Sequence, residues 1–275
     1  MSTTIQALLV LLPPAYLTLA VLYGMAFAGE RQPALAHVRK PLLMITLVAH
    51  AAIFALNAKS TGAAVVGGMR IASATGLCVS LLFLLVTRRA HQPTVAGMLF
   101  AVVFLLQLAA SAFGPMGPET SANPGNAVDA IHALTMLLAT SALVLSGIYG
   151  CLYLLLFRQL KSQKYGPLAR WLPDMEQLTL STRSTALAGF IFMTLGVNGG
   201  IALAHARGLE TFSYMDPTVL LNIGLWVHFG VIAFSRSIPG ITARRASIAA
   251  MAGLVTLLAA IAILAVPGAS FHGGA

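Results

Sequence analysis

Long, uninterrupted apolar runs constrain this chain more than any other feature. Each run is continuous rather than alternating, which favours helices over the strands of a membrane barrel. At roughly 20 residues, each is long enough to cross a bilayer as a helix. Charged residues make up only 8% of the chain, against about 25% in soluble domains. We therefore predict an all-α integral membrane protein, a single domain over residues 1–275 with about eight transmembrane helices. The predicted spans are residues 4–27, 41–58, 69–87, 94–113, 127–157, 184–204, 217–235 and 246–266.

The basic residues are distributed unevenly between the connections. A net charge of +9 could indicate a nucleic-acid partner, but 13 of the 16 basic residues fall in four alternate connections. The opposite side keeps Lys59, Arg70 and Arg207. Basic loops stay in the cytoplasm, so this pattern predicts both termini outside and no role in nucleic-acid binding. Residues 158–183 then form a cytoplasmic loop, and residues 114–128, 205–217 and 267–275 are two outer loops and an outer tail.

The region from Gly189 to Arg236 has a recognisable order of residues. It contains Thr194-Leu195-Gly196, Gly199-Gly200, Asp216-Pro217 and Trp226. This order resembles the core of the haem-handling cytochrome c assembly proteins, the CcsA/CcmC/CcmF group and its smaller HemX-like relatives. The resemblance covers roughly residues 40–272 in outline. It implies that the protein binds haem in the membrane and that Asp216 and Trp226 belong to the cofactor site.

The outer loop of residues 205–217 departs from the family pattern. In the family this loop is rich in tryptophan and ends in Trp-Asp-Pro, whereas here Met215 precedes Asp216 and the loop has no tryptophan. The flat aromatic surface that such side chains offer a porphyrin is therefore missing. The resemblance is closest to the HemX-like members, which implies an accessory role rather than haem ligation. The residues alone predict that Asp216 caps the helix that Pro217 begins.

Two histidines are predicted at the same outer level. His132 opens span 5, and His272 follows the last span. Neutral imidazole is a good iron ligand, and two histidines on different elements can hold one haem between them. The resemblance implies the same roles, because the family has a histidine in each of these places. We therefore expect His132 and His272 to be haem ligands.

His50 and His228 form a second candidate pair near the middle of the bilayer. An ionisable residue at that depth is a functional candidate, and the alternative is a neutral histidine bonded to a neighbouring helix. The family also has a histidine in its second such helix, which supports His50. His228 stands two residues after Trp226, whereas the family pattern would put a histidine where Phe234 lies. Arg70 either reaches the lipid phosphates or pairs with a carboxylate of the ligand.

These features predict a haem-binding membrane protein that holds or passes haem at the outer face, without catalysis by its own side chains. No Cys-x-x-Cys-His occurs, so we expect one or two non-covalent haem b groups. The resemblance implies the bacterial cytoplasmic membrane as location, and other assembly proteins or a redox partner as partners. The alternatives are a b-type electron-transfer subunit and a cofactor-free structural or transport subunit.

Overall fold

A computed structural model describes residues 3–27, 33–61, 68–86, 93–113, 127–163, 172–206, 214–215 and 217–264. Within these residues all regular secondary structure is helical, which confirms the predicted all-α class. The eight helices of this part of the chain are α1 Thr3–Phe27, α2 Pro33–Thr61, α3 Gly68–Val86, α4 Pro93–Phe113, α5 Ala127–Lys161, α6 Met175–Ala206, α7 Pro217–Ala233 and α8 Ala243–Leu264.

The helices have the length and composition of membrane spans. In the described residues, four stretches are long and apolar enough to cross a bilayer: His37–Leu56, Val95–Ala112, Ile131–Lys161 and Met175–His205. Shorter apolar stretches occupy α1, α3 and α7. Large apolar side chains are exposed on most of these helices, for example Ile45 and Val48, which suits contact with lipid rather than water. The chain is therefore a multi-pass membrane protein.

Two helices begin earlier than their apolar spans. α2 begins at Pro33 and α6 at Met175, so each has polar turns before its hydrophobic part. Asp174 starts α6, because its Oδ1 accepts a hydrogen bond of 2.6 Å from the backbone N–H of Gln177. The polar residues from 175 to 183, assigned from the sequence to a connection, are thus helical, and Arg183 lies inside α6.

The bundle consists of two groups of four helices. In the first, α1 packs on α2 and α4, and α3 packs on α2 and α4. Its centre is the buried ring of Phe100, which contacts the rings of Tyr16, Tyr23 and Phe83. In the second, α5 packs on α6 and α8, and α7 packs on α6 and α8, around the buried ring of Phe229. α3 and α5 join the two groups.

Neighbouring helices along the chain are antiparallel, which collects the basic residues at one end of the bundle. At this end the guanidinium of Arg39 lies over the ring of Tyr23, and that of Arg244 lies over the ring of Phe157. Arg183 of α6 reaches Ser235, just after α7. We call this the basic end. His132, five residues into α5, lies towards the other end.

Candidate functional site

Glycines on α6 let α5 approach closely. Gly196 and Gly200 are one helical turn apart, so they share a face of α6. A methyl group at position 196 would lie 2.5 Å from Sδ of Met136, and one at position 200 would lie 2.9 Å from Cε1 of His132. Real side chains do not come this close, so a methyl group at either position would force Met136 or His132 to shift. The glycines create the space that His132 and Met136 fill.

His132 is held by a backbone carbonyl in this space. Its Nδ1 lies 2.8 Å from the carbonyl oxygen of Gly196. A carbonyl oxygen can only accept, so Nδ1 carries the proton and donates it. In the neutral ring, Nε2 then has the lone pair. Histidines that ligate metals are commonly oriented in this way, with one nitrogen donating to a carbonyl and the other facing the metal.

The tautomer of His132 fits a haem ligand. The ring is half-buried, so its orientation is fixed while part of it stays accessible. Nε2 would lie 3.5 Å from a methyl group at position 200, so one side of the ring packs against α6. The residues present therefore suit an iron ligand: an imidazole with its lone pair on Nε2, positioned by a second helix.

Trp226 is also fixed against α6. Its Nε1–H donates to Oγ1 of Thr194 at 2.8 Å, and its indole stacks on the ring of Phe190 with centroids 5.1 Å apart and an interplanar angle of 23°. Thr194 and Gly196 are two residues apart, which puts them about 200° apart around the helix. Trp226 and His132 therefore pack on different sides of α6 and are not brought together.

His50 lies in the first group of helices and is completely buried. Its Nδ1 is 2.8 Å from the hydroxyl of Tyr16, and its Nε2 is 3.0 Å from the hydroxyl of Ser73. The hydroxyl of Ser73 in turn donates to Oε1 of Gln107 at 3.0 Å. Both ring nitrogens are thus engaged with side chains. Of the two alternatives that the sequence left open for His50, this arrangement corresponds to a histidine bonded to neighbouring helices.

His228 belongs to the second group and is not paired with His50. α2 packs on α1 and α3, whereas α7 packs on α6 and α8. Nε2 of His228 is buried and has no hydrogen-bond partner among the described residues. A methyl group on Gly253 would lie 2.6 Å from this nitrogen, so the imidazole lies against the backbone of α8 in space that the glycine leaves. The two deep histidines occupy separate parts of the bundle.

Several predicted site residues lie outside the described part of the chain. These are Asp216, His272 and the side chain of Arg70, so their roles stay predictions. The sequence-based reasoning also missed four partners: the carbonyl of Gly196, Tyr16, Ser73 and Gln107. Tyr16 and Gln107 are isolated polar residues within apolar spans, which was a usable signal. A carbonyl acceptor has no sequence signal of its own, although the glycines at 196, 199 and 200 indicate close helix contact.

Comparison with known proteins identifies a family. No curated protein and no solved structure matches the chain. The family described as cytochrome C assembly protein matches residues 16–267, a region that includes His132, the glycines of α6 and Trp226. Proteins of this family handle haem. Because the match extends over most of its length, the chain belongs to the cytochrome c assembly protein family.

Proposed function

We propose that this protein holds or passes haem at the outer membrane face, as an accessory factor in cytochrome c assembly. The observation that carries the proposal is the hydrogen bond from Nδ1–H of His132 to the carbonyl of Gly196, which leaves Nε2 for iron. Haem, when bound, supplies the iron and the flat apolar surface. The protein's own residues orient the imidazole and fix its tautomer.

The direction of α5 supports the outer location. His132 is near the start of this helix, and Arg158 and Lys161 are in its last turn. Basic residues mark the cytoplasmic side, so the other end, with His132, faces outside. In a bacterium this is the outer side of the cytoplasmic membrane. His272 is the proposed second ligand, and Arg70 and Asp216 are proposed to contribute nearby.

An accessory role is favoured over haem ligation to apocytochrome because the outer loop lacks tryptophan. Trp226, which the family resemblance assigned to the cofactor site, is stacked on Phe190 on another side of α6 from His132. Its indole therefore supports helix contact rather than adding to the surface beside His132. Partners would be other proteins of cytochrome c assembly, which receive or deliver the haem.

The bonding of His50 favours one haem b over two. A nitrogen that already binds Tyr16 or Ser73 must give up that bond before it can ligate iron. A b-type electron-transfer subunit with a second, permanent haem at His50 would require this rearrangement of a buried site. Among the described residues, Nε2 of His228 has no such bond to give up, but this nitrogen lies against α8 beside Gly253.

The proposal is tested by titrating purified protein with haem and recording the Soret band. We expect His132→Ala to weaken binding by about 10–100-fold, as loss of a metal contact commonly does. His205→Ala is the matched control, because His205 is exposed and its Nδ1 binds the carbonyl of Ile201 within its own helix. An unchanged affinity in His132→Ala would contradict the role of His132.

Haem transfer separates the alternatives. A carrier should release its haem readily to apomyoglobin, whereas an electron-transfer subunit should keep it through repeated redox cycles. Purified protein that shows no Soret band even after haem addition would favour the cofactor-free alternative.

A further inference from the structure

Arg183 is anchored at the basic end in a way that membrane topology alone does not require. It lies inside α6 and is half-buried. Its Nε–H donates to Oγ of Ser235 at 2.9 Å, and this hydroxyl donates to the carbonyl of Ile232 at 2.7 Å. Ser235 itself is completely buried. An arginine that only marks the cytoplasmic side needs no such partner, so the guanidinium of Arg183 has a fixed position and direction.

A second arginine approaches the same place from α8. Cζ of Arg244 lies 5.2 Å from the centroid of the Phe157 ring, which stacks on the Tyr153 ring at 6.3 Å and 12°. Stacking of a guanidinium on an aromatic ring restricts its orientation. Both arginines border α5 near Tyr153. Thr182, the residue before Arg183, accepts a hydrogen bond from Ser146 of α5, and Ser247, three residues after Arg244, lies against Gly150 of α5. We call Arg183, Arg244, Tyr153 and Ser235 the arginine cluster.

The arginine cluster has no counter-charge in the described residues. The acidic side chains described are Asp174 and Glu176, and neither forms an ion pair with Arg183 or Arg244. Asp174 instead caps α6. Two guanidiniums near one another repel, and an anion between them would offset this repulsion. The guanidinium fork matches the oxygen atoms of a phosphate particularly well.

The level of the cluster in the bundle indicates where such an anion comes from. Ser235 follows the end of α7, and Arg244 is the second residue of α8, so both lie where these two helices leave the apolar region. α5 continues past this level and ends at Lys161. α6 begins before this level, at Met175. The cluster therefore lies at the basic end where α7 ends and α8 begins, which is the level expected for the lipid headgroups.

We propose that the arginine cluster is a binding site for a phosphate group, supplied by the headgroup of an anionic phospholipid. Basic pockets between membrane helices on the cytoplasmic side bind such headgroups. Arg183 and Arg244 would contact the phosphate oxygens, and Ser235 would position Arg183. The site would fix the second group of helices to one leaflet. This proposal does not depend on the proposed haem binding, and the two are tested separately.

The experiment measures phospholipid adducts on the full-length protein by native mass spectrometry, with phosphatidylglycerol and phosphatidylcholine as probes. We expect a preference for phosphatidylglycerol, and a loss of about fivefold in its binding for Arg244→Gln and Arg183→Gln, the usual contribution of one basic residue. Ser235→Ala should also weaken binding although the charge is unchanged. Arg236→Gln is the matched control, because it removes an equal charge from an exposed neighbour of Ser235.

A second arm uses inorganic phosphate and follows the thermal unfolding temperature. Stabilisation that Arg244→Gln abolishes, without a preference for phosphatidylglycerol, would support the phosphate site but make soluble phosphate its source. Equal losses in Arg236→Gln and Arg244→Gln would overturn the proposal, because binding would then reflect net charge. Absence of any response to both probes would overturn it too. Arg244 is exposed, so its variant tests the proposal even if Arg183→Gln fails to fold.

Discussion

The hydrogen bonds around His50 run in one direction. The amide oxygen of Gln107 can only accept, so the hydroxyl of Ser73 donates to it. Ser73 then accepts from Nε2–H of His50, and Nδ1 is left to accept from the hydroxyl of Tyr16. The four side chains come from α1, α2, α3 and α4. A histidine in the middle of the first helix group is thus explained by satisfied polar contacts that join four helices.

Removing the hydroxyl of Tyr16 should destabilise the protein. Tyr16→Phe leaves Nδ1 of a buried histidine without a donor, which costs roughly 1–2 kcal/mol in the free energy of unfolding. Tyr149→Phe is the control, because Tyr149 is also buried but no hydrogen bond of its hydroxyl is found in the described residues. Denaturant unfolding in detergent measures both variants. Equal, small losses of unfolding free energy in the two variants would show that the hydrogen bonds around His50 add no stability.

At the scale of helices, the apolar runs predicted every described helix. α4 and α7 begin within a residue of their predicted spans, because Pro93 and Pro217 suit a first helical position and the apolar run starts there. The starts of α2 and α6 were missed by eight or nine residues. Hydrophobicity marks the part of a helix within the bilayer, and the polar turns that extend it depend on caps such as Asp174.

The candidate site was predictable only in part. His132 could be singled out because a histidine opening a span is rare among apolar residues, and the family resemblance points to it. Its tautomer depends on the carbonyl of Gly196, and every residue has a carbonyl. Likewise, His50 was visible as a deep histidine, but the choice between ligand and packed side chain depends on which helices face it. These choices are made by helix packing, which the order of residues along one helix does not reveal.

The packing of α5 on α6 predicts that haem affinity can be lowered without replacing any histidine. Gly200→Ala would put a methyl group 2.9 Å from Cε1 of His132, so the ring must move and its bond to Gly196 weakens. We expect haem affinity to fall by roughly tenfold, within the range seen when a partner that orients a ligand is lost. Haem titration measures it.

Gly224→Ala is the matched control, since a methyl group there would meet nothing within 4 Å. This change should leave haem affinity unaffected and stabilise the helix by about 0.5–1 kcal/mol. Equal haem affinities in Gly200→Ala and Gly224→Ala would contradict the positioning of His132 by α6.

For the whole molecule, the antiparallel order of helices has a functional consequence. It separates His132 at one end of the bundle from the arginines at the other. The proposed haem site and the proposed phosphate site are therefore on opposite sides of the membrane. The second group of helices contributes to both, while the first group provides the buried aromatic core around Phe100.

The orientation of the whole molecule is tested by labelling single cysteines in intact cells, with Cys78 and Cys151 replaced by alanine. Met215→Cys, an exposed position next to α7 at the His132 end, should react with a membrane-impermeant maleimide. Ser237→Cys, exposed between α7 and α8 at the basic end, should react only after lysis. The reverse pattern would place the basic end outside and contradict the proposed outer haem site.

The most direct measurement of the central claim is imidazole rescue of His132→Gly. Purified protein carrying this change is titrated with haem, with and without free imidazole, and the Soret band is followed. If Nε2 of His132 is the ligand, haem binding should be weak alone and should recover with imidazole, because the small molecule can occupy the space left beside Gly200. Haem binding equal to that of the unaltered protein without imidazole would contradict the account.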